Sequence, residues 1–253
     1  MRRVTFVIAL ASTSLLPEAG LAQDVSDFEA RTFEGSELTL PYRLFKVQSP
    51  EAGKTYPLIL FLHGSGERGD DNTAQLTANA GATVWAAPAQ QAAHPAYVIA
   101  PQCPAEQQWV DTDWSLGSYS TASVAVSDEL LTVLELVDAV AGEFPVDPRR
   151  VYITGLSMGG YGTWDAIIRN PQRFAAAIPI CGAGDPSQAA AIADLPIWTA
   201  HGDADTVVPV SGTRDMVAAL TALGSPIVYS EYPGVGHDAW SQTYANEDVI
   251  SWL

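Results

Sequence analysis

The sequence predicts an α/β fold: one mostly parallel β-sheet with helices on both faces. Three observations carry this expectation. Short, continuous apolar runs recur along the chain, and Pro57-Leu58-Ile59-Leu60-Phe61-Leu62 is the clearest; strands of a parallel sheet are buried on both faces and read this way. Helical patterns separate the runs, above all over residues 128–143, where Leu130, Leu131, Leu134, Val137 and Val140 share one face. Finally, the residues able to do chemistry follow the runs directly, at the carboxyl ends of the expected strands, where such sheets build their sites.

Residues 1–22 read as a secretory signal peptide. Arg2 and Arg3 supply the positive start, residues 4–16 the apolar stretch, and Gly20-Leu21-Ala22 the small residues for cleavage before Gln23. The stretch is short for a membrane span, so the expected location is secreted or periplasmic, with a short amino-terminal anchor as the alternative. Residues 28–33 and 38–47 alternate around Glu34-Gly35-Ser36 and predict a β-hairpin. Residues 49–55 form a loop with Pro50 and Gly53. The Pro57 run ends in His63-Gly64-Ser65-Gly66, and residues 73–87 have helical character. Residues 97–100 predict another strand, followed by a polar and aromatic loop over 105–122.

After the helix at 128–143, Asp147-Pro148-Arg149-Arg150 turns the chain into the strand that begins Val151-Tyr152-Ile153. Three further strands are expected at 175–180, 197–200 and 227–232. Short helices at 187–193 and 211–223 separate them, and a last helix runs from Glu247 to the end. No linker divides residues 23–253, so they are expected to form a single domain. At 253 residues with 16% charged side chains, the chain can bury a large core. Its formal net charge of −17 argues against nucleic acid and anionic membrane surfaces as partners.

Gly155-Leu156-Ser157-Met158-Gly159 sits between a strand and a helical stretch. A strand, sharp turn and helix is the setting of a nucleophile elbow, which strains the serine backbone and exposes its oxygen above the sheet edge. A serine hydroxyl needs a base, and the base an orienting acid. Of the four histidines, His63 is expected to brace its loop, His94 lies in a surface-loop context, and His201 ends a strand and reads as structural. His237, in the glycine-rich loop after the last strand, is the expected base. The acid is expected between Ser157 and His237 in the chain. Asp205 is favoured for it, with Asp203 holding the turn. No cofactor is expected. Nor is a metal, since Asp203-x-Asp205 lacks the remaining oxygen ligands and the glycine of a calcium loop.

Phe61-Leu62-His63-Gly64-Ser65-Gly66-Glu67-Arg68-Gly69, Gly155-Leu156-Ser157-Met158-Gly159-Gly160, His201-Gly202-Asp203-Ala204-Asp205 and Gly236-His237 occur in that order. Together they resemble the α/β-hydrolase fold. More narrowly, they resemble a group of secreted bacterial esterases and "predicted peptidases" related to feruloyl esterases, polyhydroxybutyrate depolymerases and dienelactone hydrolases. The resemblance covers nearly all of residues 28–253. It implies an eight-stranded sheet in the order 1-2-4-3-5-6-7-8 without a large lid, and Asp205 as the acid.

In that layout one oxyanion donor is the N–H of Met158, and the second comes from Ser65 or Gly66. The strand order puts two strands between those preceding Cys103 and Cys181, about 14 Å at ~4.8 Å per strand. A disulfide then requires loops folding back over the sheet edge, so a disulfide and two buried thiols both stand as readings. Trp240, Trp109 and Trp114 are candidates to line the substrate pocket, against the plainer reading that they anchor loops. Trp164 is expected in the core. The function implied is a carboxylic ester hydrolase with an acyl-enzyme intermediate, on a small or polymer-borne ester. A serine peptidase or amidase with the same triad, and a non-catalytic binder on the same scaffold, are the alternatives.

Overall fold

The chain folds around one eight-stranded sheet in the order β1-β2-β4-β3-β5-β6-β7-β8; the structure, a computed structural model, describes residues 25–253. The expected signal peptide lies outside the described residues. The first strands, β1 (Glu29–Glu34) and β2 (Thr39–Phe45), form the expected antiparallel hairpin. β3 (Tyr56–Leu62) follows, then three short helices, α1 (Ala74–Thr77), α2 (Thr83–Ala86) and α3 (Pro88–Ala93). After β4 (Tyr97–Pro101) come α4 (Asp128–Glu143), β5 (Val146–Leu156) and α5 (Met158–Arg169). The chain ends in β6 (Ala176–Ile180), β7 (Trp198–Gly202), α6 (Ser211–Ala222), β8 (Val228–Tyr232), α7 (Ala239–Tyr244) and α8 (Glu247–Trp252). β2 pairs antiparallel with β4, and every later pairing is parallel.

β3 shows why its apolar run has no polar side. Leu58, Leu60 and Leu62 pack in one cluster with Leu130 and Val137 of α4 and Trp164 and Ile167 of α5. Ile59 and Phe61 face the other way, toward Trp85 of α2, Tyr244 of α7 and Ile250 of α8. Alternate side chains therefore serve two cores, one on each face of the sheet. α4 starts where Ser127 Oγ accepts from Leu130 N at 3.1 Å, and that hydroxyl donates to Trp109 O at 2.7 Å. One serine thus caps the helix and fixes the end of the long aromatic loop.

The helical stretch expected over 73–87 is split. Asn79 Oδ1 accepts from Gly81 N at 2.9 Å, and a Cβ on Gly81 would lie 2.1 Å from the Phe61 ring. The chain is pressed onto the sheet there, so α1 and α2 are separate turns. α3 and α7 are additional to the expected helices. Cys103 and Cys181 are free and buried, and β3 and β5 lie between the strands they follow. Among the described residues no helix is long and apolar enough to cross a membrane.

Candidate active site

Ser157 stands between the end of β5 and the first residue of α5, with φ 54° and ψ −119°. For a residue with a Cβ this conformation costs about 1–3 kcal/mol. The tight packing around the turn sustains it. A Cβ on Gly159 would lie 1.9 Å from Leu62 O, and one on Gly155 would lie 2.3 Å from Gly159 O. Strand, turn and helix are therefore in backbone contact, and only glycine fits at either position. Ser157 N donates to Ile180 O at 2.9 Å, which ties the turn to β6.

His237 follows β8 and reaches over the sheet edge to Ser157. Its Nε2 lies 2.8 Å from Ser157 Oγ, and its Nδ1 lies 2.7 Å from Asp205 Oδ2. Nδ1 faces a carboxylate and so carries the ring proton, leaving Nε2 to accept from the serine hydroxyl. The Asp205 side chain is fully buried. Burial works to raise its pKa, but the hydrogen bonds from His237, Val207 N and Val208 N outweigh it and hold the carboxyl below its ordinary value. The latter two N–H groups reach Oδ1 at 2.8 and 3.0 Å. Asp203, by contrast, is exposed and accepts from Gly234 N at 2.6 Å, tying the loop after β7 to the loop after β8.

A cavity of about 230 Å³ opens beside this line of side chains. Residues 64–67, Leu156, Ser157, His237 and Trp240 line it. Ser65 and Gly66 lie on a 3₁₀ turn, Ser65–Glu67. Met158 opens α5, so its N–H belongs to the first turn, which has no partner within the helix. Trp240 sits edge-on to His237, with ring centroids 5.2 Å apart at 90°. It is carried there by α7, which Asp238 caps by accepting from Ser241 N. Asp238 followed by a helix-compatible stretch was the available signal for that helix.

The two other tryptophans do not line the cavity. Trp109 is fully buried, and its Nε1 donates to His63 O at 3.0 Å. It anchors the aromatic loop to the end of β3. Trp114 is half-buried and offers its carbonyl to Tyr161 Oη at 2.9 Å. His63 is the expected brace: Cys103 N donates to its Nε2 at 2.9 Å, and its Nδ1 lies 2.6 Å from Gly64 O. His94 is exposed and borders a separate cavity at the amino-terminal ends of β3 and β5. Trp164 is in the core.

His201 is where sequence reasoning fell short. Its Nε2 lies 3.1 Å from Asp205 Oδ2, so the carboxylate meets two imidazoles. The available signal was the four-residue spacing of His201 and Asp205 after a strand. Cys181 Sγ, His201 and Asp205 bring three potential metal ligands within 4.8 Å of one another. Each is engaged in hydrogen bonds of the site, the thiol with His237 O at 3.2 Å.

A sequence profile described as phospholipase/carboxylesterase matches residues 43–248. A solved structure of a thermostable esterase shares 42% identity at a TM-score of 0.84, covering 90% of this chain and 62% of that one. The "probable carboxylesterase" of Oryza sativa subsp. japonica is 26% identical over 196 residues, 72% of this chain and 81% of the relative. Poly(3-hydroxyalkanoate) depolymerase C of Paucimonas lemoignei is 30% identical over 127 residues. The match takes in 50% of this chain and only 28% of the depolymerase.

Proposed function

The chain belongs to the phospholipase/carboxylesterase family; from that premise we propose that it is a carboxylesterase-type hydrolase that cleaves esters of small acyl groups through Ser157, His237 and Asp205 by way of an acyl-enzyme. The observation that carries this reading is the continuous line of hydrogen bonds from Asp205 Oδ2 through His237 to Ser157 Oγ, at 2.7 and 2.8 Å. Ser157 Oγ attacks the ester carbonyl while His237 Nε2 takes its proton. The oxyanion forms beside the start of α5, where the N–H of Met158 and an N–H of the Ser65-Gly66 turn stabilise it; one such donor is worth about 3–4 kcal/mol of barrier. The imidazolium, held by Asp205, then protonates the departing alkoxide. In the second half, His237 removes a proton from water, which attacks the acyl-enzyme and frees the acid.

The small cavity supports a small acyl group against Trp240, with the alcohol part directed toward solvent. That arrangement accommodates a small alcohol or a polymer chain equally, and the depolymerase among the relatives takes its name from a polyester. The net charge of −17 favours uncharged esters over anionic ones. Arg2, Arg3 and the apolar stretch after them support export, so the substrate is met outside the cytoplasm.

The test is hydrolysis of p-nitrophenyl esters from acetate to decanoate, with methyl ferulate, by wild type and Ser157→Ala. Fastest turnover of the short esters, abolished in Ser157→Ala, is expected. Equal activity of the two proteins would refute the role of Ser157. Preference for the long acyl chains would refute the assignment of the cavity.

A further inference from the structure

The acid of this site is held from two sides. Asp205 Oδ2 accepts from His237 Nδ1 at 2.7 Å and faces His201 Nε2 at 3.1 Å. The second imidazole comes from the end of β7 and is fully buried. Its protonation is fixed by its neighbours. Nε2 is also 3.1 Å from Val208 O, so it meets two acceptors and must itself carry a proton. Nδ1 lies 2.8 Å from Thr213 Oγ1, a hydroxyl that also reaches Gly182 O at 2.8 Å. Burial pushes His201 below the ordinary histidine value, against the opposing pull of Asp205. A neutral ring with its proton on Nε2 serves Asp205 and Val208 O; the Thr213 hydroxyl has one proton, and in this state it turns from Gly182 O to donate to Nδ1. Asp205 then receives four N–H donors, two on each oxygen, which fills its acceptor capacity.

We propose that His201 is a positioning residue of this site: by donating to Asp205 Oδ2 beside His237, it fixes the carboxylate and sets how strongly that carboxylate pulls on the His237 proton. The proposal rests on the reading of Ser157, His237 and Asp205 given above. A carboxylate oxygen shared between two donors is a weaker acceptor for each than one with a single donor. His201 therefore keeps Asp205 from over-stabilising the imidazolium that forms when His237 takes the serine proton.

The other ionisable groups around the pair leave this role to His201. The Cys181 thiol, from the end of β6, is pushed up to about 12 by burial and stays neutral. Tyr161, from α5, is likewise raised by burial. Glu231, opposite His201 on β8, is bound by Arg214 at 2.8 Å. Asp203 is exposed and bonded to Gly234 N, and Asp238 caps α7.

Two substitutions separate the two ends of the ring. His201→Gln can return an amide N–H near the Nε2 position, toward Asp205. His201→Asn reaches only the Nδ1 position, toward Thr213. The pH dependence of kcat/KM is measured for both and for wild type, with a short p-nitrophenyl ester. His201→Asn is expected to lose about tenfold in kcat with little change in KM, and its acidic limb should move up by about half to one pH unit. His201→Gln should lie near wild type in both respects. Equal losses in the two variants with an unmoved limb would mean that His201 only fills space, and would overturn the proposal.

If neither variant folds, imidazole ¹⁵N shifts of the intact wild type decide. A neutral Nε2–H ring at His201 throughout the pH range over which kcat/KM is measured is expected. An Nδ1–H tautomer at His201 would overturn the proposal. Ser157→Ala is run alongside; activity surviving in it would remove the underlying site reading, whatever the His201 variants do.

Discussion

Acidification should destabilise this protein through a histidine that never touches substrate. His63 is fully buried between the end of β3 and the segment after β4. Its Nε2 accepts from Cys103 N at 2.9 Å, so its proton sits on Nδ1, 2.6 Å from Gly64 O. A second proton would have to enter at Nε2 and would face the Cys103 N–H. Burial brings the imidazole down to about 4, from an ordinary value of 6.5. Glu67, 3.8 Å from Nδ1, adds little counter-charge because burial raises its own pKa.

Between those two values the unfolded chain binds a proton that the folded chain refuses. Stability is therefore present above the upper value and is lost as pH falls toward the lower one. The separation amounts to about 3 kcal/mol for this one group. Urea unfolding of wild type and His63→Gln, from about pH 7 down to about pH 4, isolates the contribution, because the other titrating groups are common to both. Wild type should lose about 3 kcal/mol more than the variant over that range. Parallel pH profiles, differing by less than about 0.5 kcal/mol, would refute the reasoning. Since His63 precedes Gly64, Ser65 and Gly66, the same variant should also lower kcat.

Four further outcomes follow from the packing. Gly159→Ala should lower kcat/KM at least about tenfold or prevent soluble expression, because its Cβ would lie 1.9 Å from Leu62 O. Gly142→Ala, whose Cβ would meet nothing within 4 Å on α4, should stabilise by about 0.5–1 kcal/mol in urea melts. Trp240→Ala opens the cavity wall beside His237, so the p-nitrophenyl ester preference should move toward longer acyl chains. Tyr119→Phe leaves buried Asp165 Oδ1 without its 2.8 Å donor while Arg169 still holds Oδ2, and urea unfolding should show a loss of about 1–3 kcal/mol.

The elements legible in the sequence are those in which one physical demand dominates. The β3 run has to serve two cores and so admits no polar residue. Gly155 and Gly159 flank Ser157 because any side chain would strike backbone. α4 announces itself by a single apolar face behind Ser127. The strand order came through resemblance, since periodicity does not say which strand pairs with which. What the sequence did not disclose depends on contacts distant in the chain. The stretch over 73–87 has helical character locally, and it takes the Phe61 ring against Gly81 to split it. Trp109 was a pocket candidate by type; its burial follows from the His63 carbonyl, 46 residues away, that its indole reaches. His201 read as a structural residue because its spacing to Asp205 carries meaning only once the loop after β7 folds back on the strand end.

The central claim is that Ser157 is the nucleophile activated by His237, and covalent capture tests it most directly. The protein is treated with a fluorophosphonate, digested, and the adduct located by mass spectrometry in wild type, Ser157→Ala and His237→Ala. The account predicts one adduct, on the peptide containing Ser157, formed quickly in wild type, absent from Ser157→Ala and strongly slowed in His237→Ala. No adduct in folded wild-type protein, or one on another residue that persists in Ser157→Ala, would contradict it.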